Sequence, residues 1–215
     1  MNSPASLPLF QSRVVPVIVV TDPAQAVPMA EALLAGGVDV MEITLRSAAG
    51  LAAIEAVARA VPEMQVGAGT VTRASEVAQV LAAGARFGLS PGSTPELLAA
   101  VLAAGLPFVP GVASPSEAMA ARDAGFTLMK CFPAAQLGGV EVLKAWGGPL
   151  PDLRFCPTGG VSLANMGSFL ALPNVAMVGG SWLTPAAAVK AGDWAQITRL
   201  AREATDAVAA LQASR

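Results

Sequence analysis

Three lysines stand in the chain, Lys130, Lys144 and Lys190, and one of them sits in an unusual place. Lys144 and Lys190 fall in segments that read as helices or the turns after them, where an ammonium stays solvated. Lys130 instead stands near the end of a short apolar run, Leu128-Met129-Lys130-Cys131-Phe132-Pro133, the length of a buried strand. An amine emerging from such a low-dielectric wall is desolvated, and burial disfavours its charged form. A lysine that is neutral for part of the time can attack a carbonyl and form a Schiff base. The same run also suits a strand-end lysine that snorkels to water.

A second polar set lies in Glu42-Ile43-Thr44-Leu45-Arg46. Strand side chains alternate, so Glu42, Thr44 and Arg46 share one face and Ile43 and Leu45 the other. A carboxylate and a guanidinium on an inward face admit two readings. One is a mutual ion pair bracing the sheet, which is a poor source of stability when buried. The other is reaction machinery. Glycine-bearing ends recur further on, at Gly67-Ala68-Gly69-Thr70, Ser90-Pro91-Gly92, Pro157-Thr158-Gly159-Gly160 and Gly179-Gly180-Ser181. Each reads as an ordinary turn or as a place where another group approaches the backbone closely.

The elements that must position these residues alternate regularly. Apolar strands are expected at 13–20, 38–45, 65–70, 87–90, 108–110, 127–132, 154–157 and 175–178. Helices are expected at 24–35, 48–60, 73–83, 94–104, 114–124, 138–146, 163–170 and 193–211. Asp22 before Pro23, Thr94 before Pro95 and the spacing Ser114-Pro115-Ser116-Glu117 mark helix starts. Gly36, Gly84, Gly105 and Gly125 mark helix ends. Eight strand–helix units with short connections predict a parallel sheet covered by helices, in the form of a single-domain (β/α)8 TIM barrel over 1–215 with a short N-terminal extension at 1–12. The alternative, an open doubly wound sheet, lacks its glycine-rich fingerprint, because the first strand is followed by Thr21-Asp22-Pro23. In the barrel, every polar set named above falls at the carboxyl ends of strands, where such folds do their chemistry.

Composition narrows the chemistry. Of the 215 residues, 54% are hydrophobic and 13% charged, with a net charge of −2, so nothing marks a nucleic-acid surface. The scarcity of charge suggests that sister subunits cover part of the outer surface. There is no histidine and no tyrosine, which excludes any mechanism that needs an imidazole. The two cysteines, Cys131 and Cys156, adjoin apolar strands and read as packing thiols rather than as a disulfide framework or metal ligands. No start resembles a secretory signal and no apolar run is long enough to span a bilayer, so a cytoplasmic enzyme is expected.

Together these residues supply an amine, a carboxylate, an arginine, a threonine and two glycine loops in the positions where barrels often hold phosphate. Arg46 could clamp a carboxylate through two parallel hydrogen bonds, Lys130 could attack the adjacent ketone, and Glu42 could move protons. These are the parts of a Schiff-base aldolase acting on a phosphorylated 2-keto acid.

The motifs Glu42-Ile43-Thr44-Leu45-Arg46, Val66-Gly67-Ala68-Gly69-Thr70, Ser90-Pro91-Gly92, Lys130-Cys131-Phe132-Pro133-Ala134, Phe155-Cys156-Pro157-Thr158-Gly159-Gly160 and Gly179-Gly180-Ser181-Trp182 resemble the 2-keto-3-deoxy-6-phosphogluconate (KDPG) and 4-hydroxy-2-oxoglutarate (KHG) aldolase family. The resemblance spans nearly the whole chain. It implies a class I aldolase of the Entner–Doudoroff pathway, a homotrimer, with no cofactor and no metal. It implies that Lys130 forms the imine and Glu42 is the acid–base group. Arg46 and Thr70 would hold the pyruvyl carboxylate, Pro91 and Phe132 would line the site, and Thr158, Gly159, Gly160, Gly180 and Ser181 would surround the phosphate. Cys131 stands where the family often has an aromatic, and Ala135 where it often has an acid, which bears on fine substrate preference. The 6-phosphogalactonate epimer as substrate, a phosphate-binding barrel without a covalent step, and a phosphosugar-sensing subunit remain as rival readings of the same residues.

Overall fold

The structure, a computed structural model, describes residues 10–213. Among these residues are nine strands and nine α-helices, alternating except where β6 follows β5 and α9 follows α8. The first half of the chain runs β1 (Val14–Ile18), a 3-10 turn (Pro23–Gln25), α1 (Ala26–Ala35), β2 (Val40–Thr44), α2 (Gly50–Ala60), β3 (Gln65–Gly69), α3 (Ala74–Ala82), β4 (Phe87–Leu89) and α4 (Pro95–Ala104). The second half runs β5 (Phe108–Val109), β6 (Gly111–Val112), α5 (Pro115–Asp123), β7 (Leu128–Cys131), α6 (Gly139–Gly147), β8 (Arg154–Pro157), α7 (Met166–Leu170), β9 (Val178–Gly180), α8 (Ala186–Ala191) and α9 (Trp194–Ala213).

All the strand pairs are parallel, in the orders β5-β4-β3-β2-β1-β9 and β6-β7-β8. The last strand therefore lies beside the first. The expected fifth strand, 108–110, stops at Val109 because Pro110 has no N–H to give the ladder, and β6, which was not expected, follows it. The next N–H, that of Gly111, goes to the buried Ser90 hydroxyl at 3.1 Å instead of to a main-chain carbonyl. The expected eighth strand is displaced toward the carboxyl side. Val175 bridges to Phe155 of β8, whereas Val178–Gly180 pairs with β1, so this segment changes neighbours along its length. The helix at Ala186–Ala191 was not expected, and α7 begins at Met166 rather than at 163.

Local chemistry explains several helix ends. Asp22 accepts from the N–H of Ala24 at 3.0 Å, Thr94 from Leu97 at 3.2 Å and Ser114 from Glu117 at 3.3 Å. The Glu117 carboxylate reaches back to the N–H of Ala113, one residue earlier than a capping box would place it. Gly84, Gly105 and Gly125 do adopt positive φ, but at the end of α1 it is Gly37 (φ 86°) that turns left-handed. Gly36 is small for another reason: a Cβ there would sit 2.4 Å from Cβ of Ala201, where α1 packs on α9.

Of the expected N-terminal extension, 1–9 lies outside the described residues, and the remainder is packed onto the domain. The N–H groups of Gln11 and Ser12 donate to the Asp39 carboxylate at 2.8 and 2.9 Å. Phe10 is buried, with its ring 5.5 Å from that of Phe87 at the start of β4. This closes the amino ends of the strands with apolar contacts and leaves the carboxyl ends for polar groups. Among the described residues, no helix is long and apolar enough to cross a membrane.

Candidate active site

Lys130 and Glu42, 88 residues apart in sequence, meet inside the fold, with Nζ 3.0 Å from Oε1. Each is the third residue of a strand, Lys130 in β7 and Glu42 in β2. Lys130 is 5% exposed and Glu42 is fully buried. Glu42 thus pairs with Lys130 and not, as the shared strand face allowed, with Arg46. Its second oxygen, Oε2, is buried and bonds nothing among the described residues. Space for this carboxylate comes from Gly69, because a Cβ there would fall 2.1 Å from Oε1. The Lys130 amine also lies over the Phe132 ring, with Nζ 5.6 Å from the ring centroid.

Arg46 lies beyond the end of β2 and is exposed, its Nε donating to the Thr44 hydroxyl at 3.3 Å. Thr44 is buried, and its hydroxyl donates to the carbonyl of Ile18 at 2.9 Å. This ties the arginine to the mouth of β1 and β2 rather than to the interior. Thr70 follows β3 with φ 61°, a left-handed conformation that strains a β-branched residue. Pro91 follows β4 against Gly111, where a Cβ would lie 2.3 Å from the Pro91 carbonyl carbon.

A cavity of ≈ 180 Å³ gathers the expected residues Arg46, Phe132, Thr158, Gly159, Gly160, Gly180 and Ser181, together with Val17 and Val161. Of the other expected site residues, Lys130, Glu42, Thr70 and Pro91 do not line it. Gly159 (φ 96°) and Gly160 (φ 77°) need the left-handed backbone that glycine takes without strain. Thr158 is buried, with its hydroxyl where a Cβ on Gly179 would come within 2.3 Å. The N–H of Ser162, in the loop after Gly160, donates to Asn165 Oδ1 at 2.8 Å. Burial pushes the thiols of Cys131 and Cys156 up to about 12, so neither is a nucleophile near neutral pH.

Sequence reasoning missed Val17 and Val161 as lining residues, and it passed over Gly69 as the residue that makes room for Glu42. The signal for Gly69 was present: Gly67 and Gly69 alternate on one strand face, where Gly67 admits the Phe87 ring and Gly69 the carboxylate.

A buried amine and carboxylate in contact, with Phe132 reaching from the amine to a cavity lined by an arginine and two glycine loops, match what a protein-family comparison finds. The family model for KDPG and KHG aldolase matches residues 8–200. The chain belongs to the KDPG and KHG aldolase family. Its relatives in this aldolase family include the 2-dehydro-3-deoxy-phosphogluconate aldolase of Pseudoalteromonas atlantica, 52% identical over 94% of each chain. The KHG/KDPG aldolase of Escherichia coli is 52% identical over 92% of this chain and 93% of its own. Among solved structures, the KDPG aldolase of Legionella pneumophila, with pyruvate captured at low pH as a covalent carbinolamine intermediate, superposes with a TM-score of 0.87. It is 47% identical, over 89% of this chain and 93% of that one.

Proposed function

We propose that this aldolase cleaves 2-dehydro-3-deoxy-6-phosphogluconate to pyruvate and glyceraldehyde 3-phosphate through a Schiff base on Lys130, and that it also splits 4-hydroxy-2-oxoglutarate. The observation that carries this reading is the buried contact of 3.0 Å between Lys130 Nζ and Glu42 Oε1. A carboxylate at that distance can take a proton from the ammonium and leave the amine free to attack the C2 ketone. Loss of water gives an iminium, an electron sink that lets the C3–C4 bond break. Glu42 then accepts the C4 hydroxyl proton and returns a proton to C3 of the enamine, and its unpartnered Oε2 is the free oxygen for both transfers. Hydrolysis releases pyruvate and restores the amine.

Arg46 and Thr70 hold the pyruvyl carboxylate in this reading, while Pro91 and Phe132 wall the keto acid. Thr158, Gly159, Gly160, Gly180 and Ser181 take the phosphate, a use supported by the left-handed Gly159 and Gly160 in the cavity wall, where the missing side chains let an anion approach the backbone. The fold belongs to the same proposal. A single domain over 1–215 closes as a (β/α)8 ring, supported by β9 lying beside β1 and by the parallel bridge from Thr158 to Gly179. The homotrimer and the cytoplasmic setting complete it, and sedimentation equilibrium checks the former.

Borohydride reduction in the presence of pyruvate tests the central step. The adduct is expected on Lys130, located by peptide mass. An adduct on Lys144 or Lys190, or full cleavage activity in Lys130→Met, would overturn the covalent mechanism.

A further inference from the structure

A second, larger cavity opens beside the first. Its volume is ≈ 680 Å³, against ≈ 180 Å³ for the cavity at the glycine loops, and the two share Val17, Arg46 and Ser181. The smaller lies below the range of roughly 300–1,000 Å³ usual for small-molecule sites, and the larger lies within it. A phosphate and the carbons next to it are enough for the smaller. They leave the larger unfilled.

The far wall of the larger cavity is built by the 3-10 turn and α8, tied together by the Gln25 side-chain amide donating to the Val189 carbonyl at 3.4 Å. Val19, one of the few exposed large apolar residues at 44%, lies in the lining and offers a carbon chain a surface. Its two charged lining residues are both cations, Arg46 and Lys190, and no carboxylate lines it. If Arg46 is occupied by the pyruvyl carboxylate, Lys190 is the uncommitted charge, at the end of the cavity formed by α8.

We propose that this groove is an anion subsite for the aldehyde half of the reaction. It takes aldehydes with a longer carbon chain than glyceraldehyde 3-phosphate and a terminal carboxylate, and Lys190 is the specificity-determining residue that reads that charge. The inference rests on the aldolase reading above. In the bond-forming direction, the enamine carbon of Lys130-bound pyruvate attacks the aldehyde carbon. The aldehyde oxygen takes a proton from Glu42 to become a hydroxyl, and water hydrolyses the iminium to release the product and the amine.

The test condenses pyruvate with 6-oxohexanoate and with hexanal, which have the same chain length and differ in the terminal charge. The wild-type enzyme is expected to favour 6-oxohexanoate in kcat/KM by about fivefold, the size of one solvent-facing ion pair. That ratio falls to about one in Lys190→Met and below it in Lys190→Glu, and it shrinks as salt is added. A wild-type ratio of one or less, a ratio unchanged in both variants, or no condensation of either six-carbon aldehyde by an enzyme that turns over glyceraldehyde 3-phosphate would overturn the subsite. Absence of condensation with glyceraldehyde 3-phosphate itself would instead overturn the aldolase reading beneath it.

Discussion

The Glu42 carboxylate occupies the place where a side chain on Gly69 would be, with Oε1 only 2.1 Å from the position of a Cβ. The two residues sit on neighbouring strands, Glu42 opposite Gly67 in the register of β2 and β3. Gly69→Ala must therefore push the carboxylate away from Lys130. A displacement of about 1 Å at a reacting group is worth about a hundredfold in rate. We expect kcat to fall by that order while KM for the keto acid changes little, and steady-state kinetics of pyruvate release checks it. Unchanged kcat would mean that the carboxylate position is not what the reaction depends on.

Glu42→Gln keeps the shape and a hydrogen-bond acceptor for Lys130 but cannot accept and return a proton in the working pH range. Loss of a positioned acid–base group reduces the step it serves by about a hundredfold or more. Exchange of solvent deuterium into the methyl group of pyruvate, followed by NMR, is expected to drop by at least that factor, and borohydride trapping of pyruvate on Lys130 is expected to slow as well, because Glu42 also frees the amine. Exchange at the wild-type rate would remove Glu42 from the proton-transfer role.

Thr70 is the non-glycine residue with positive φ among those described. A left-handed L-residue costs about 1–2 kcal/mol, and glycine offsets part of that gain through its greater freedom in the unfolded chain. Thr70→Gly is expected to raise the free energy of unfolding by about 0.5–1 kcal/mol. It also removes the hydroxyl proposed to hold the pyruvyl carboxylate, so KM should rise. Urea midpoints and KM values measured together check both. A variant that is less stable would show that the surrounding loop, and not the scaffold, sets this conformation.

Burial holds both thiols at about 12 in the fold, against 9.0 for a free thiol. The folded state therefore keeps protons that the unfolded state releases above pH 9. Stability attached to these groups is complete below about pH 9 and is lost as pH rises toward 12, by up to about 1.4 kcal/mol per pH unit for each thiol. Denaturant midpoints of Cys131→Ala/Cys156→Ala against wild type between pH 8 and 10.5 should converge as pH rises. Iodoacetamide at pH 8 should leave both thiols of the native protein unmodified. Rapid native labelling would show that one of them is open to solvent.

Much of this protein was legible in the chain itself. The alternation of apolar strands with helices, the side-chain oxygens of Asp22, Thr94 and Ser114 at helix starts, and the placement of Glu42 and Lys130 within strands all follow from local chemistry, because propensity, capping and the two-residue strand period act over a few neighbours. Tertiary structure alone decided the rest. It chose Lys130 over Arg46 as the partner of Glu42, ended a strand before Pro110 where the Gly111 N–H found Ser90, and moved the last strand from 175–178 to Val178–Gly180 by offering β1 as a partner. It also placed α8 and Lys190 beside the glycine loops and left the larger cavity between them. Those outcomes depend on residues tens of positions apart competing for the same hydrogen bonds and the same space, and no short stretch of sequence carries that competition.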